Sequence, residues 1–306
     1  MLKTAGIHHI TAIVNDPQVN VNFYTEVLGL KLVKKTVNFD RPEVYHLYFG
    51  NEEGDPGTII TFFPWPKLTK GRIGTKQVGV TSYVIPTGSG EYWENRLRQK
   101  NIAFKKNPRF NEQYLELKDP DGLQIELVER EIVGNNRLKS HDIDSDNAIQ
   151  GFAGAVLYST EPNKTKDVLE NILGLEWIEQ DGEFLRFKSI GTLGNIIDVK
   201  LSHAVRGLAG AGTVHHIAWR AKNEEELRKW HSLLEEKGWK PTELKDRNYF
   251  KALYFTEPGE ILFEIATDPP GFAVDEEVNE LGTKLMLPNW LEPQRKELEE
   301  KLPPIQ

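Results

Sequence analysis

The chain has 306 residues, a length that exceeds one ordinary hydrophobic core and predicts two domains. Its 39% hydrophobic and 27% charged residues are typical of a globular protein, and no apolar run is long enough to cross a bilayer. The absence of cysteine excludes disulfides, thiolate catalysis and cysteine-bound zinc, and a formal charge of −8 without a Lys/Arg cluster makes nucleic acid a poor candidate partner.

The first predicted module begins at the N-terminus, where a strand pattern starts without the apolar segment of a signal peptide. We therefore expect a cytoplasmic protein. Asp16-Pro17 is typical of a helix start, and Gly29 is typical of a helix end. Alternating apolar residues predict the strands of this module at 6–14, 31–38, 44–50 and 58–63.

The same order of one strand, one helix and further strands recurs along the chain. A second module starts near Val78, a third at Gly151 and a fourth near Val214. The segment Asn171-Ile-Leu-Gly-Leu175 resembles Glu26-Val-Leu-Gly-Leu30, which supports an internal repeat. We predict an N-terminal domain, a polar linker, a C-terminal domain and a tail, at 1–133, 134–150, 151–268 and 269–306.

Two copies of His-His-Ile, about two hundred residues apart, open the first and the fourth modules. Side chains alternate between the two faces of a strand, so His9 lies on the face opposite to His8, Ile10 and Val14. The His8 face is the more apolar and is expected to pack under a helix. The same alternation in the second copy selects His216 over His215, and we interpret His9 and His216 as ligands of one metal ion.

A third ligand is predicted in the last strand of the fourth module. Ile261, Phe263 and Ile265 form the apolar face of this strand, and Glu264 interrupts the opposite face. Two imidazoles and one carboxylate would bind a divalent metal and leave coordination positions open.

An overlay of the four modules shows which of them can contribute ligands. Val80 and Gly154 occupy the positions of His9 and His216, so the second and third modules offer no imidazole. On the last strands, the positions equivalent to Glu264 are about Phe62, Glu126, and Asp198 or Val199. The overlay therefore predicts that the first and fourth modules share one metal site, while the second and third modules form a metal-free partner.

Isolated histidines are more often structural than ligating, and we interpret four of them in this way: His46, His141, His203 and His231. The segment after Thr267 has helix character without a strand pattern. It is expected either to cover a cavity or to pack on the surface.

With these residues in view, the chain resembles the vicinal oxygen chelate superfamily, and within it the hydroquinone-type ring-cleaving dioxygenases. The resemblance covers nearly the whole chain and is carried by five segments: Gly6-Ile-His-His-Ile-Thr11, Phe23-Tyr-Thr-Glu-Val-Leu-Gly-Leu30, Gly212-Thr-Val-His-His-Ile-Ala218, Leu262-Phe-Glu-Ile-Ala-Thr-Asp268 and Leu287-Pro-Asn-Trp-Leu-Glu292. It implies an α+β fold of four βαβββ modules that form two cup-shaped incomplete barrels.

The resemblance also implies a cofactor, substrates and supporting residues. It implies iron(II), with manganese(II) as the alternative, held by His9, His216 and Glu264, and a small aromatic diol that reacts with O2. The supporting residues of the family correspond to His8, Thr11, His215, Arg247 and Tyr254. A neighbouring histidine or the tyrosine would accept or relay a phenolic proton, the arginine would supply fixed positive charge, and the two histidines would orient the ligands.

Two alternatives to an extradiol-type dioxygenase stay open. A glyoxalase-like isomerase or lyase generally uses four protein ligands, and Phe62 at the fourth position cannot ligate. A non-catalytic protein that binds an aromatic compound or drug would need neither histidine pair. A homo-oligomer is open as well, because no interface pattern stands out.

Overall fold

Each of the four modules folds as one strand, one helix and three further strands. The computed structural model describes residues 2–131, 142–202 and 205–306. The first module consists of β1 (Ile7–Val14), α1 (Pro17–Asn22), β2 (Lys31–Asn38), β3 (Arg41–Gly50) and β4 (Ile59–Pro64). The second consists of β5 (Gln77–Pro86), α2 (Gly90–Gln99), β6 (Phe104–Arg109), β7 (Glu112–Lys118) and β8 (Gln124–Arg130).

The C-terminal half repeats this order. The third module consists of β9 (Gly151–Tyr158), α3 (Pro162–Asn171), β10 (Glu176–Asp181), β11 (Phe184–Lys188) and β12 (Ile196–Lys200). The fourth consists of β13 (Thr213–Ala221), α4 (Glu224–Glu236), β14 (Lys245–Asp246), β15 (Phe250–Thr256) and β16 (Leu262–Pro270). The prediction of an α+β fold with four βαβββ modules is confirmed.

The modules pair across the two halves of the chain. One eight-stranded sheet has the order β14-β15-β16-β13-β1-β4-β3-β2, so it joins the fourth module to the first. The other has the order β10-β11-β12-β9-β5-β8-β7-β6 and joins the third module to the second. We call the curled sheets the first cup and the second cup. The prediction that the opening and closing modules lie together is confirmed.

The helices pack on the convex faces of the cups, and local sequence sets their ends. The Asp16 side chain accepts a hydrogen bond from the Val19 backbone N–H and caps α1, and Pro17 suits the first turn, where its missing N–H has no partner to lose. A π-helical turn, Phe23–Val27, extends α1 and buries Tyr24, whose ring centroid lies 4.4 Å from that of Phe62. Among the described residues, no helix is both long and apolar enough to cross a membrane.

The predicted linker is described only from residue 142 onward, and its first part lies outside the described residues. The described part packs against the second module, because Ile143 and Ile149 are buried and the Trp93 indole N–H donates to the Asn147 carbonyl at 2.9 Å. This part is therefore less solvated than its polar composition suggests.

The tail packs into the first cup. Phe272 stacks on Tyr249 with ring centroids 5.1 Å apart, and the fully buried Lys34 forms ion pairs with Asp275 and Glu276. A short helix, α5 (Arg295–Lys301), follows. These contacts show that the tail packs against the first cup, and the covering role stays a prediction.

Candidate metal centre

The three side chains predicted as metal ligands meet on the concave face of the first cup. His216 Nε2 lies 2.8 Å from a Glu264 carboxylate oxygen and 3.3 Å from His9 Nε2, and His9 Nε2 lies 3.4 Å from the same oxygen. Three ligands on one side of an octahedral ion, each roughly 2.1 Å from it, stand about 3 Å apart. The spacing fits one divalent ion bound from one side. Within the described part of the chain, no other group of three His, Asp or Glu side chains has this arrangement.

Strand register explains how residues so far apart in sequence meet. His9 on β1 is opposite Ala218 on β13, and Ala218 is opposite Glu264 on β16. His216 lies two residues before Ala218, on the same face of β13. Strands β1 and β13 start different modules. Their hydrogen bonding therefore places the side chains of His9, His216 and Glu264 side by side.

His9 and His216 each contact the histidine that precedes them. His8 Nδ1 lies 2.9 Å from His9 Nδ1, and His215 Nδ1 lies 2.8 Å from His216 Nδ1. In both pairs the ring centroids are 5.1 Å apart and the ring planes meet at 82°. The His-His repeat in the sequence is therefore one local geometry used twice.

This geometry assigns the imidazole tautomers through the hydrogen-bond network. If Nε2 of His9 presents its lone pair to a metal, its proton lies on Nδ1 and is donated to Nδ1 of His8. His8 then donates from Nε2 to the Thr267 carbonyl, which lies 3.1 Å away. Burial, followed by the charge of His9, lowers the pKa of His8 well below its ordinary value, which keeps this ring neutral.

The burial and ionisation of the Glu264 carboxylate indicate whether the site suits a cation. It is fully buried, and neither carboxylate oxygen has a hydrogen-bond partner, although His216 Nε2 lies 2.8 Å from one of them. Burial alone would raise the pKa of Glu264, but His9 and His216 outweigh it and hold that pKa well below its usual range. Burial lowers the pKa of His216. An ionised carboxylate and a neutral imidazole are the states that bind metals, so the residues fit a divalent ion.

Tyr254 and Arg247 lie beside the triad. Tyr254 on β15 is opposite Glu264, and Arg247 Nε donates to the Tyr254 hydroxyl at 3.2 Å. Arg247 also donates from Nη2 to Asp40 at 3.0 Å. Burial and the Glu264 carboxylate raise the pKa of Tyr254, so in this structure its phenol is a hydrogen-bond donor rather than a base.

The fourth position of the site differs from the sequence overlay by one residue. Thr61, and not Phe62, pairs with Thr11 on the concave face, whereas Phe62 is buried under α1. The hydroxyl oxygens of Thr11 and Thr61 lie 2.8 Å apart. The prediction of Phe62 at this position is therefore wrong, and a hydroxyl group that already has a protein partner occupies it.

His46 is a site residue that the sequence interpretation missed. Its Nε2 lies 2.8 Å from Thr61 Oγ1, and its Nδ1 lies 2.8 Å from the Tyr48 hydroxyl. It lines the same cavity as His9 and His216. No local signal in the sequence separates it from His231, which lies on α4 near Glu235 as predicted. The other two histidines interpreted as structural, His141 and His203, lie outside the described residues.

The cavity above the triad is small and mostly aromatic. Its volume is about 280 Å³. Its walls include four histidines together with aromatic and charged side chains: Phe39, Tyr48, Phe63, Trp65, Phe250, Tyr254, Asp40 and Arg247. Trp290 of the tail contacts Phe39, with ring centroids 5.6 Å apart. The site is therefore a small pocket, and Phe39 in its wall contacts the tail.

The second cup holds a salt-bridge network where the first holds the triad. Arg109 donates from Nη1 and Nη2 to the two Glu126 oxygens, each at 2.9 Å, and from Nε to Asp198 at 2.9 Å. Arg186 donates to the other Asp198 oxygen at 2.8 Å. A cavity of about 830 Å³ lies above Arg109 and Glu126 and is larger than the cavity over the triad. Guanidinium groups neutralise the carboxylates of this cup.

Comparisons with known proteins agree with this architecture. A family model described as "Glyoxalase/Bleomycin resistance protein/Dioxygenase superfamily" matches residues 6–127 and 151–265. The chain is 56% identical to "Putative ring-cleaving dioxygenase MhqO" of Bacillus subtilis (strain 168), over 99% of this chain and 97% of the relative. It is 31% identical to "Chlorohydroquinone/hydroquinone 1,2-dioxygenase" of Sphingobium indicum, over 97% of this chain and 95% of the relative.

Solved structures show the same fold. A crystal structure of a "putative dioxygenase" from Bacillus subtilis matches with a TM-score of 0.98 and 56% identity, over 100% of this chain and 99% of that chain. Glyoxalase I from Zea mays matches with a TM-score of 0.64 and 14% identity, over 86% of this chain and 92% of that chain. The maize protein shares the fold alone.

Proposed function

We propose that the chain is a ring-cleaving dioxygenase, since it belongs to the Glyoxalase/Bleomycin resistance protein/Dioxygenase superfamily. The proposed reaction opens the ring of a hydroquinone- or catechol-type diol with O2. The observation that carries the proposal is the convergence of His9, His216 and Glu264 below a small aromatic pocket. Full-length relatives named for ring cleavage, one of them for hydroquinone, support the choice of reaction.

The proposed cofactor is iron(II), with manganese(II) as the alternative. His9, His216 and Glu264 would hold it, because two imidazoles and one carboxylate form the ligand set of non-haem iron oxygenases. When bound, such an ion supplies the redox chemistry and the open coordination positions that a diol and O2 require.

The residues around the triad would prepare the pocket for a diol. His8 and His215 fix the rings of the two ligand histidines through the paired Nδ1 atoms. Tyr254 would donate a hydrogen bond to a substrate oxygen, and Arg247 would keep a fixed positive charge beside it. The volume of about 280 Å³ favours a single substituted ring over a fused or biaryl ring system.

The ligand count argues against the glyoxalase-like alternative. An isomerase of this fold would need a fourth protein ligand, but Thr61 stands at that position with its hydroxyl already bonded to Thr11 and near His46. A drug-binding protein without metal would leave the buried Glu264 carboxylate without a hydrogen bond, which is costly. Both alternatives explain fewer of the buried groups.

The test is anaerobic reconstitution with iron(II) or manganese(II), followed by measurement of metal content and of O2 uptake. Methylhydroquinone, 2-chlorohydroquinone and catechol are the substrates, and a hemithioacetal is the isomerase control. We expect O2 uptake with at least one diol and a ring-opened product. Isomerase turnover without O2 uptake would contradict the proposal.

Variants locate the metal. We expect His9→Ala to lose bound metal, while the matched His231→Ala, on the surface of α4, retains it. Glu126→Gln in the second cup should also retain it. Metal loss in Glu126→Gln with full retention in His9→Ala would place the ion in the wrong cup for this proposal.

A further inference from the structure

Arg247 in the first cup and Arg109 in the second occupy the same position in their modules. Arg109 is opposite Glu112 in the hairpin of β6 and β7. In the hairpin of β14 and β15, the Arg247 backbone N–H donates to the Phe250 carbonyl at 2.9 Å, so Phe250 takes the place of Glu112. Each of these modules therefore carries an arginine at the turn between its second and third strands.

The last strands of the two modules support this correspondence. Tyr254 is opposite Glu264 across β15 and β16, and Glu116 is opposite Glu126 across β7 and β8. Tyr254 and Glu116 each lie seven residues after the arginine of their module. The two arginines therefore stand in the same register to the carboxylates of Glu264 and Glu126.

The two arginine side chains nevertheless bind different groups. Arg109 turns into its cup and donates to both Glu126 oxygens. Arg247 instead donates from Nη2 to Asp40 at 3.0 Å and from Nε to the Tyr254 hydroxyl at 3.2 Å. The same register position thus places one guanidinium at a buried carboxylate and the other at a carboxylate whose side chain is 62% exposed.

Each cup has one aspartate that bridges its two edge strands, and the two aspartates bind different groups. The edge strands are β2 and β14 in the first sheet, and β10 and β6 in the second. Asp40 follows β2 and Asp181 ends β10, so each lies at the edge opposite to its arginine. Asp181 accepts from the Phe110 backbone N–H at 2.6 Å, which leaves the neighbouring Arg109 side chain free to turn inward. Asp40 binds the guanidinium itself.

Without Asp40, the Arg247 guanidinium would lack an anionic partner. Within the part of the chain that the structure describes, Asp40 is the only carboxylate in ion-pair distance of Arg247, whose side chain is 18% exposed. Glu264 is fully buried without a hydrogen-bond partner, and it lies opposite the tyrosine that Arg247 contacts. A guanidinium stays charged in proteins and binds a carboxylate through two parallel hydrogen bonds, as Arg109 binds Glu126. Pairing Arg247 with Glu264 would therefore satisfy two charges that are largely shielded from water.

We propose that Asp40 is a positioning residue that holds Arg247 outside the metal centre. Without Asp40, the guanidinium turns inward and binds Glu264, as its counterpart does in the second cup. This inference rests on the metal centre of the proposed function. Because the guanidinium and a metal ion compete for one carboxylate, the apparent metal affinity falls with the fraction of molecules whose centre is free. An arginine turned inward in about nine-tenths of the metal-free molecules raises the apparent dissociation constant roughly tenfold.

The closure of the first cup does not depend on Asp40, because the tail bridges the same two edges. Asp275 accepts hydrogen bonds from the Lys34 ammonium group on β2 and from the Tyr249 hydroxyl beside β15. An effect of Asp40→Ala on metal binding is therefore attributable to Arg247 and not to opening of the cup.

Four variants test the proposal. Asp40→Ala removes the carboxylate, and Asp40→Glu keeps it on an exposed turn. Asp40→Ala combined with Arg247→Gln removes the competing cation as well. Glu43→Ala is the matched control, because Glu43 is 51% exposed and pairs with Arg41 in the hairpin of β2 and β3. Urea unfolding of the metal-free proteins checks that each variant folds.

The experiment titrates each metal-free protein with manganese(II), without O2 or a diol, and measures the dissociation constant by calorimetry. We expect Asp40→Ala to weaken manganese binding by at least roughly tenfold. The double variant should bind manganese as tightly as Arg247→Gln alone, and Asp40→Glu and Glu43→Ala should bind it as the wild type does. A crystal structure of metal-free Asp40→Ala should show the Arg247 guanidinium within hydrogen-bond distance of Glu264.

The outcomes separate the role of Asp40 from the function on which it rests. Unchanged affinity in Asp40→Ala, beside a wild type that binds manganese, would overturn the inference alone. Weaker binding that Arg247→Gln does not restore would also overturn it, because that result describes a structural role. A wild type that binds neither manganese(II) nor iron(II) would overturn the metal centre and the inference with it. Metal binding without O2 uptake would contradict the dioxygenase and leave the test of Asp40 intact.

Discussion

Thr61 in the first cup occupies the register position that Glu126 occupies in the second. Thr61 is opposite Thr11 on β1, and Glu126 is opposite Ser82 on β5, which lies two residues after Val80 as Thr11 lies two residues after His9. A carboxylate at this position in the second cup is neutralised by a guanidinium. A hydroxyl at the same position in the first cup would leave a bound ion with three protein ligands.

Thr61→Glu should therefore convert the centre into a four-ligand site. A fourth carboxylate would strengthen metal binding and fill a position that a substrate needs. We expect slower metal release to a chelator and loss of O2 uptake by at least roughly a hundredfold. Timed chelation with metal analysis and an oxygen electrode would measure the two effects.

Thr61→Gln is the matched control for that variant. Glutamine has the size of glutamate without its charge, so it should reduce O2 uptake without slowing metal release. Equal metal release from Thr61→Glu and Thr61→Gln would show that position 61 does not reach the metal.

Arg109→Met should destabilise the second cup. The change leaves the buried Glu126 carboxylate without its two guanidinium donors, and removing one partner of a buried ion pair costs about 3–5 kcal/mol. We expect the free energy of unfolding, measured by urea titration, to fall by about that amount, while metal binding per folded molecule stays unchanged.

A second substitution checks the electrostatic cause. Arg109→Met combined with Glu126→Met removes both charges of the pair and should recover most of the loss, because apolar groups of similar volume can replace a buried ion pair. If the double variant is no more stable than Arg109→Met, the loss comes from packing against Tyr114 and Phe184 instead of from the charge.

The repeat made most of the fold predictable from the sequence. Alternation along β1 and β13 selects His9 and His216, and it also indicates Glu264 in the last strand. The expectation that the His8 face packs under a helix is wrong for the histidines, because register shifts at His8 and His215 bring these rings against His9 and His216, and His215 lines the cavity. The expectation that the first and fourth modules share a cup follows from where the histidines occur. These signals are local and periodic, so they are visible without knowledge of strand pairing.

The remaining features depend on register between strands, which sequence periodicity does not fix. The sequence overlay was one residue out of register on β4, so it assigned Phe62 instead of Thr61 to the fourth position. His46 becomes a pocket residue only because β3 pairs with β4. The sequence overlay could not show that Arg109 binds the carboxylates of the second cup. Arg109 lies at the end of β6, and its contacts with Glu126 and Asp198 depend on how the strands pair.

Acid should weaken the second cup through Glu112. Burial would raise the pKa of Glu112, but hydrogen bonds and charges from Arg130, with Tyr114 and Arg186, lower it to about 2. An unfolded glutamate has a pKa of about 4.3, so the unfolded state binds more protons between these values and stability falls as the pH falls through this window. About a quarter of the side chain is exposed, so we expect about 2 kcal/mol at most.

Glu112→Gln measures this contribution. The variant should be less stable than the wild type in urea unfolding at about pH 7, and the difference should shrink as the pH is lowered towards about 3. Glu297→Gln, in an exposed pair with Lys301 on α5, is the control and should change little at any pH. A difference for Glu112→Gln that stays constant with pH would exclude ionisation as its cause.

Glu264→Gln should separate the stability of the metal-free protein from stabilisation by metal. Glutamine removes a buried charge whose pKa His9 and His216 hold low, so the metal-free variant should be less stable than the metal-free wild type at neutral pH. A metal that binds only the folded state adds about 2.7 kcal/mol at a hundred times its dissociation constant, and this increment should disappear in the variant. Thermal unfolding with manganese(II) and with a chelator would measure both quantities. Glu126→Gln should also lower the stability, but its metal increment should be unchanged, because its carboxylate partners Arg109 instead of an ion. A full metal increment in Glu264→Gln would remove this carboxylate from the ligand set.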